Sequence, residues 1–456
     1  MTRHSGRRIA LAALLLLLGT ALGIGAAVAR DAAVYAGRIY PGVSIGGLAV
    51  GGLPVDEALA ALQPAVDRRL RAPFTVVLAD RTATFTQAEV GLVGRAEVAV
   101  QEAFAAGRTG PWWDRIRTRL TLSRQGLALD LPFVHDAGRL RRLLEDLAAE
   151  LNAVPKDAEV TVRAGRVVLV RPGRPGQTLD VDATAGRIVA ALNGGVAQIE
   201  AVVAVTHPEF TTEEAGDLRV LLASYTTRMA ANANRTHNIS LASSFIHGTI
   251  LPPGGVFSYN KVVGPRTIER GFREAPVLVD DELVPGDGGG ICQVSSTLFN
   301  VALLADFKIL TRVNHSRPVA YLPAGRDATV VYGQLDLLFR NTTGSHVLLW
   351  TEIEGRRLTI SAYGTPAEDA EVAVEVANRE EIPAPHATVT KKDPTLEAGT
   401  TVVREAQPGL RVKTYRVVRT GGEVVRRELI GTSYYRPVRR TIKVGTKLAG
   451  ASEPRP

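Results

Sequence analysis

The chain has 456 residues, 45% of them apolar and 22% charged, which marks a folded globular protein and excludes a disordered one; at roughly 100–200 residues per domain it holds several domains. A single cysteine excludes an internal disulfide framework. The formal net charge of +8 favours acidic partners such as anionic lipid or wall polymers. It is spread thinly rather than massed in one tract, which argues against nucleic acid.

Arg3, Arg7 and Arg8 precede an uncharged run from Ile9 to Ala29. That run is long enough to cross a bilayer as one helix, with its basic leading side in the cytoplasm. Residues 1–30 therefore predict a transmembrane anchor. The competing reading is a signal segment cleaved near Ala27-Val28-Ala29, which would release a secreted protein. Either way the rest of the chain is expected outside the cytoplasm.

Two stretches within 31–206 resemble each other. Pro73–Leu78, Arg81–Phe85, Val90–Leu92 and a helix over 96–106 parallel Ala158–Val162, Arg166–Val170, Gly176–Asp180 and a helix over 182–192. Each predicts strand, tight turn, strand, loop, helix, and each has a helix before it (54–70 and 137–151). This order predicts a duplicated α+β unit. Trp112 and Trp113, in the link between copies, suit either a sugar-stacking platform or a plug between the repeats.

After a linker over 207–216, the segment 217–366 predicts an α+β domain. A helix is expected over 238–246, and the best core helix over 293–307. Strands are expected at 319–321, 328–332, 335–339, 347–353 and 357–363. From 370 to 446 helical spacing disappears. Short β-like runs alternate with Pro and Gly, and Gly421-Gly422 signals a hairpin. Residues 447–456 predict a disordered tail.

The chemistry-bearing stretch is Gly288-Gly289-Gly290-Ile291-Cys292-Gln293-Val294-Ser295-Ser296-Thr297-Leu298. A thiol delivered by a glycine turn to a helix start has its thiolate favoured by the helix dipole. His315 is the candidate base, with Asp327 or Asp336 orienting its ring, and Gln293 a candidate oxyanion donor. That set predicts cysteine-dependent acyl transfer or amide hydrolysis. The competing reading is a buried structural cysteine, with His315 bonded to backbone and Asp327 capping a turn. Gly289, Gly290, Gln293, Ser295, Ser296, Asn260 and Arg326 are the candidate substrate contacts. One Cys with scattered His237, His247 and His315 lacks metal-ligand spacing, so no metal is expected. Gly286–Gly290 has no following Lys-Ser or Lys-Thr and is no phosphate loop, and no cofactor is expected.

The middle domain resembles the VanW family through Pro253-Gly254-Gly255-Val256-Phe257-Ser258-Tyr259-Asn260, the Gly288–Leu298 stretch, Asn314-His315-Ser316 and Gly325-Arg326-Asp327-Ala328-Thr329-Val330. The duplicated region is similar to the peptidoglycan-binding domain placed ahead of VanW domains, and the C-terminal module resembles a G5 domain. The resemblance implies a multidomain α+β protein: an N-terminal transmembrane helix, a duplicated α+β wall-binding region, an α+β VanW-like domain and a small all-β G5-like module. The partner it implies is peptidoglycan or another cell-wall glycan, with a link to glycopeptide resistance or wall maintenance. A non-catalytic envelope scaffold is the remaining alternative.

Overall fold

Arg3–Val34 forms one helix, as its uncharged run predicts, and Leu11–Val34 within it is long and apolar enough to cross a membrane, with a mean hydropathy of 2.4. The structure, a computed structural model, describes residues 3–79, 81–279, 282–366 and 370–447. Of the tail expected over 447–456, Lys447 ends the strand Thr441–Lys447 and the residues from 448 onward lie outside the described ones. The chain divides into two compact units, one of Met1–Pro155 with Pro175–His207, the other of Lys156–Arg174 with Pro208–Pro456.

In the first unit, Val55–Arg71 is a helix because Pro54 and the acids Asp56 and Glu57 open it and Arg68, Arg69 and Arg71 close it, which matches the helix dipole at both ends. Its apolar residues recur every fourth position, so Ala58, Leu62 and Val66 share one buried face. The hairpin Pro73–Leu78/Arg81–Thr86 is antiparallel, with Phe74 opposite Phe85, and Phe74, Val76 and Leu78 alternate into the core. Helices Ala137–Leu151 and Val181–Asn193 cover that core. Each starts at an aspartate whose side chain accepts from a first-turn backbone N–H: Asp136 from Arg139 and Asp180 from Ala183. Trp112 and Trp113 open a further helix, Trp112–Gln125, and are 68% and 57% exposed. They therefore plug no interface among the described residues.

The expected second copy has the right local order: a hairpin, Glu159–Arg163 with Arg166–Arg171, then the helix Val181–Asn193. The two parts are buried in different units. The hairpin's Val160, Val162 and Val167 pack with Phe210, Leu218, Leu348 and Tyr363 of the second unit. Its Val168, Leu169 and Val170 stay exposed, and it lacks the alternating buried face of Phe74, Val76 and Leu78.

The second unit is built on a four-stranded antiparallel sheet in the order Val220–Arg228, Arg357–Gly364, Val347–Glu354, Thr249–Leu251. Helices Ala233–Ile246 and Ile291–Leu304 share its core, which includes Ile239, Leu298, Phe299 and Ile360. The strands expected at 319–321 and 328–332 do not form. Side chains hold that backbone instead: Ser296 Oγ accepts from Ala328 N at 2.9 Å, and Ser295 Oγ donates to Ala328 O at 2.7 Å. The C-terminal module is all-β. It has one sheet of Ala370–Ile382, Gly409–Thr420 and Glu423–Tyr435, and another of Val389–Glu397, Thr441–Lys447 and Thr401–Arg404. Gly421 and Gly422 both take positive φ and make the expected two-residue turn.

Candidate active site

The glycine turn works by close approach. A side chain on Gly289 would put its Cβ 2.6 Å from the Ala275 carbonyl oxygen, and Gly290 takes φ +111° as the helix begins. Ile291–Leu304 then runs as a helix with Cys292 in its first turn. This helix is buried on nearly every side from Gln293 to Leu303, polar residues included, because each polar side chain has a partner. Gln293 Nε2 donates to Thr227 Oγ1 and to Arg228 O, both at 3.1 Å, and its Oε1 accepts from Arg235. Asn300 Nδ2 donates to Ser296 O and Arg326 O.

Cys292 is half-buried, with its Sγ 3.7 Å from Val330 O. Beside it stands His315, whose Nδ1 lies 2.7 Å from Asp327 Oδ2. The same oxygen accepts the His315 backbone N–H at 2.7 Å, so both the ring and its backbone hang on one carboxylate. Asp327 is fully buried. Its other oxygen accepts from Arg312 Nη2 at 3.1 Å and from the Tyr435 hydroxyl at 2.5 Å. A buried carboxylate with this many donors is held in the ionised form.

The electrostatics follow from these contacts. Burial opposes charge on Asp327, but the hydrogen bond from His315, then Arg312 and Tyr435, bring its carboxyl below the usual range. Burial likewise opposes charge on His315, and is outweighed by its hydrogen bonds with Asp327 and Cys292, which raise it to about 9. Burial pushes the Cys292 thiol up. The His315 hydrogen bond and charge, with the Arg266 charge, pull it net below its ordinary value. The two shifts are complementary: the contacts that favour the proton on His315 are the ones that favour its loss from Cys292. Because Nδ1 is engaged by Asp327, Nε2 is the ring nitrogen left for the sulfur.

Of the residues singled out in the sequence, Cys292, His315 and Asp327 come together. Asp336 does not reach His315; it accepts from Ser258 Oγ, Asn260 N and Leu337 N and so holds the junction between the strand Val256–Ser258 and the helix Tyr259–Val263. Gln293 is not the oxyanion donor, since both its amide hydrogens are spent on Thr227 and Arg228. Ser295 and Ser296 tie the helix to Ala328, and Gly289 and Gly290 are buried in the turn. Arg326 Nε donates to Asn300 Oδ1 at 2.6 Å, with its guanidinium 4.9 Å from the Tyr225 ring. The Asn260 side chain donates to Val331 O and Leu335 O, and the residue lines a shallow hollow of about 470 Å³ with Lys261, Tyr332, Gln334 and Asp336.

Sequence reasoning missed Arg266, Arg312 and Tyr435. Tyr435 lies 108 positions from Asp327 in the chain, inside the β module, and no spacing rule connects them. The module is stitched to the site at further points. Arg312 Nη1 donates to Ser433 Oγ at 2.7 Å, Asn314 Nδ2 to Tyr434 O at 2.9 Å, and Thr414 Oγ1 to Gly325 O at 2.8 Å.

Family models match three parts of the chain. "VanW like protein" matches 234–363, "Putative peptidoglycan binding domain" 83–199, and "G5 domain" 374–447. "Uncharacterized protein YoaR" of Bacillus subtilis (strain 168) is 34% identical over 254 residues, which are 55% of this chain and 82% of that protein. "Vancomycin B-type resistance protein VanW" of Enterococcus faecalis (strain ATCC 700802 / V583) is 27% identical over 28% of this chain; the match spans about half of that protein, 49%. Among solved structures, the G5 domain of IgA1 protease matches 18% of this chain and 95% of its own at 27% identity, with a TM-score of 0.11. The chain belongs to the VanW-like family, as a cell-wall-associated member that also carries a peptidoglycan-binding domain and a G5 domain.

Proposed function

We propose that this is an envelope protein, anchored by Leu11–Val34 with its bulk outside the cytoplasm, that engages peptidoglycan or its precursors and transfers or hydrolyses acyl groups through Cys292. The observation carrying the reading is the arrangement of Cys292 in a helix's first turn, beside a His315 that is bonded at 2.7 Å to a buried carboxylate. The name of the enterococcal relative supports a role in the response to vancomycin-type antibiotics.

The chemistry is an acyl exchange on sulfur. The Cys292 thiolate attacks a peptide carbonyl carbon. As the C–N bond breaks, the His315 imidazolium gives its Nε2 proton to the leaving amine, and a thioester remains. Water or a second amine, deprotonated by the now neutral His315, then attacks the thioester. The C–S bond breaks, and thiolate and imidazolium are restored. Asp327 holds Nδ1–H throughout. Ile291 N and Gln293 N already donate to Gly288 O and Gly290 O, and the Gln293 side chain is committed elsewhere, so the Cys292 backbone N–H is the first-turn donor that receives the oxyanion.

The test is incubation of the full chain with purified peptidoglycan, then mass analysis of the released muropeptides. New or broken amide linkages are expected with the native protein and not with Cys292→Ala. Identical muropeptides from both proteins, with binding in a sedimentation assay retained, would sink the catalytic part and leave a wall-binding protein.

A further inference from the structure

Arg266 is a buried cation beside this site that the chemistry above does not use. None of its three guanidinium nitrogens touches solvent, and among the described residues none has a hydrogen-bond acceptor. A guanidinium cut off from water with no acceptor is costly to keep, so its place calls for a reason. Asp336 attracts it, but that carboxylate spends its hydrogen bonds on Ser258, Asn260 and Leu337.

Its position bears on Cys292. The Arg266 stem lies against Gly288, where an added Cβ would come within 3.0 Å of the Arg266 Cβ. The glycine turn that delivers the thiol therefore also makes room for the arginine. Its guanidinium faces the ring of buried Tyr259 at 5.3 Å, and the Tyr259 hydroxyl donates to Ile291 O at the start of the thiol helix. Arg266 and Cys292 attract one another electrostatically. The Tyr332 ring lies 5.7 Å from the same guanidinium; Tyr332 is 51% exposed and sits on the tight 331–335 loop beside the hollow.

We propose that Arg266 is the anchor for a carboxylate of the acyl donor, held beside Cys292 once the Tyr332 ring swings off the guanidinium. This rests on the acyl-transfer reading of Cys292 and adds the substrate class: a peptide with a free carboxylate close to the carbonyl that is attacked. The guanidinium's paired donors match a carboxylate in geometry as well as charge. Supplying that acceptor satisfies a group the folded protein leaves unpaired.

The chain's single cysteine makes the test direct. Cys292 of the full-length protein in detergent is alkylated with iodoacetate, which carries a carboxylate, and in parallel with neutral iodoacetamide. The ratio of the two rates is the readout. Arg266→Gln is expected to lower the iodoacetate rate on the order of tenfold, with the iodoacetamide rate changing far less. An unchanged ratio in Arg266→Gln overturns the anchor and leaves the reactive thiol standing. If neither reagent modifies the native protein, the thiol reading fails and the anchor with it. Should Arg266→Gln not fold, Tyr332→Ala decides. It keeps the guanidinium and uncovers it, so the ratio must rise, and a constant ratio overturns the proposal.

Discussion

Replacing Asp327 by asparagine keeps the side chain's shape and removes the charge on which His315 depends. In the native site the imidazolium is raised from 6.5 to about 9, a preference worth about 3 kcal/mol. The Asp327 hydrogen bond, at 2.7 Å and out of water, is the first of the contacts that raise it. A raised histidine adds stability that is complete below its unfolded value and disappears as pH rises through about 9. The lowered Cys292 thiol adds stability above the ordinary thiol range and loses it as pH falls through its depressed value. The ion pair therefore occupies a window bounded above by His315. In Asp327→Asn the upper bound should fall by roughly one pH unit or more, the usual effect of an opposite charge at this distance. The assay is the rate of iodoacetamide alkylation of Cys292 against pH. The native protein should react at near-constant rate across neutral pH, with a step near 9, and the variant's step should move toward neutrality. A native profile with a single rise near the ordinary thiol value of about 8.5, or an unmoved step in the variant, would refute the reasoning.

Tyr435→Phe deletes one hydroxyl that donates to Asp327 Oδ1 and accepts from Gly325 N at 2.6 Å. It should cost about 2–4 kcal/mol in urea unfolding and slow Cys292 alkylation although it lies in the β module; normal alkylation would show that the module does not position the site. Gly289→Ala places a methyl 2.6 Å from the Ala275 backbone oxygen, so expression or thermal stability should fall sharply. A normal melting temperature would count against the close packing of the turn. Ser296→Ala strips Ala328 N of its acceptor. It should destabilise by about 1–3 kcal/mol and loosen the segment that carries Asp327, read as faster amide hydrogen exchange over 326–330.

Several features were legible because they are local. The uncharged run became a helix, the helices expected over 137–151 and 182–192 formed, and the double glycine became a hairpin turn. The glycine turn before Cys292 was readable for the same reason, since a positive φ and a helix start are properties of neighbouring residues. The ordered motifs also named His315 and Asp327, without deciding between Asp327 and Asp336.

That choice was made by packing. Asp336 is drawn into the strand–helix junction at 258–260, while Asp327 is buried where Arg312, His315 and Tyr435 converge. The strands expected at 319–321 and 328–332 do not form: Thr329 N bonds to Val313 O, Val331 meets Leu335 only in an isolated bridge, and serines of the thiol helix take the backbone bonds of Ala328. The second hairpin's place in the other unit depended on which core could bury Val160 and Val167. By itself the sequence determined the helices, caps and turns and the residue types able to do chemistry, because backbone sterics and short-range hydrogen bonds act between neighbours in the chain. Only the tertiary structure decided which carboxylate holds His315, that the β module contributes Tyr435, and that Arg266 has no acceptor among the described residues. Those outcomes depend on burial and on contacts between residues far apart in sequence, which no spacing rule encodes.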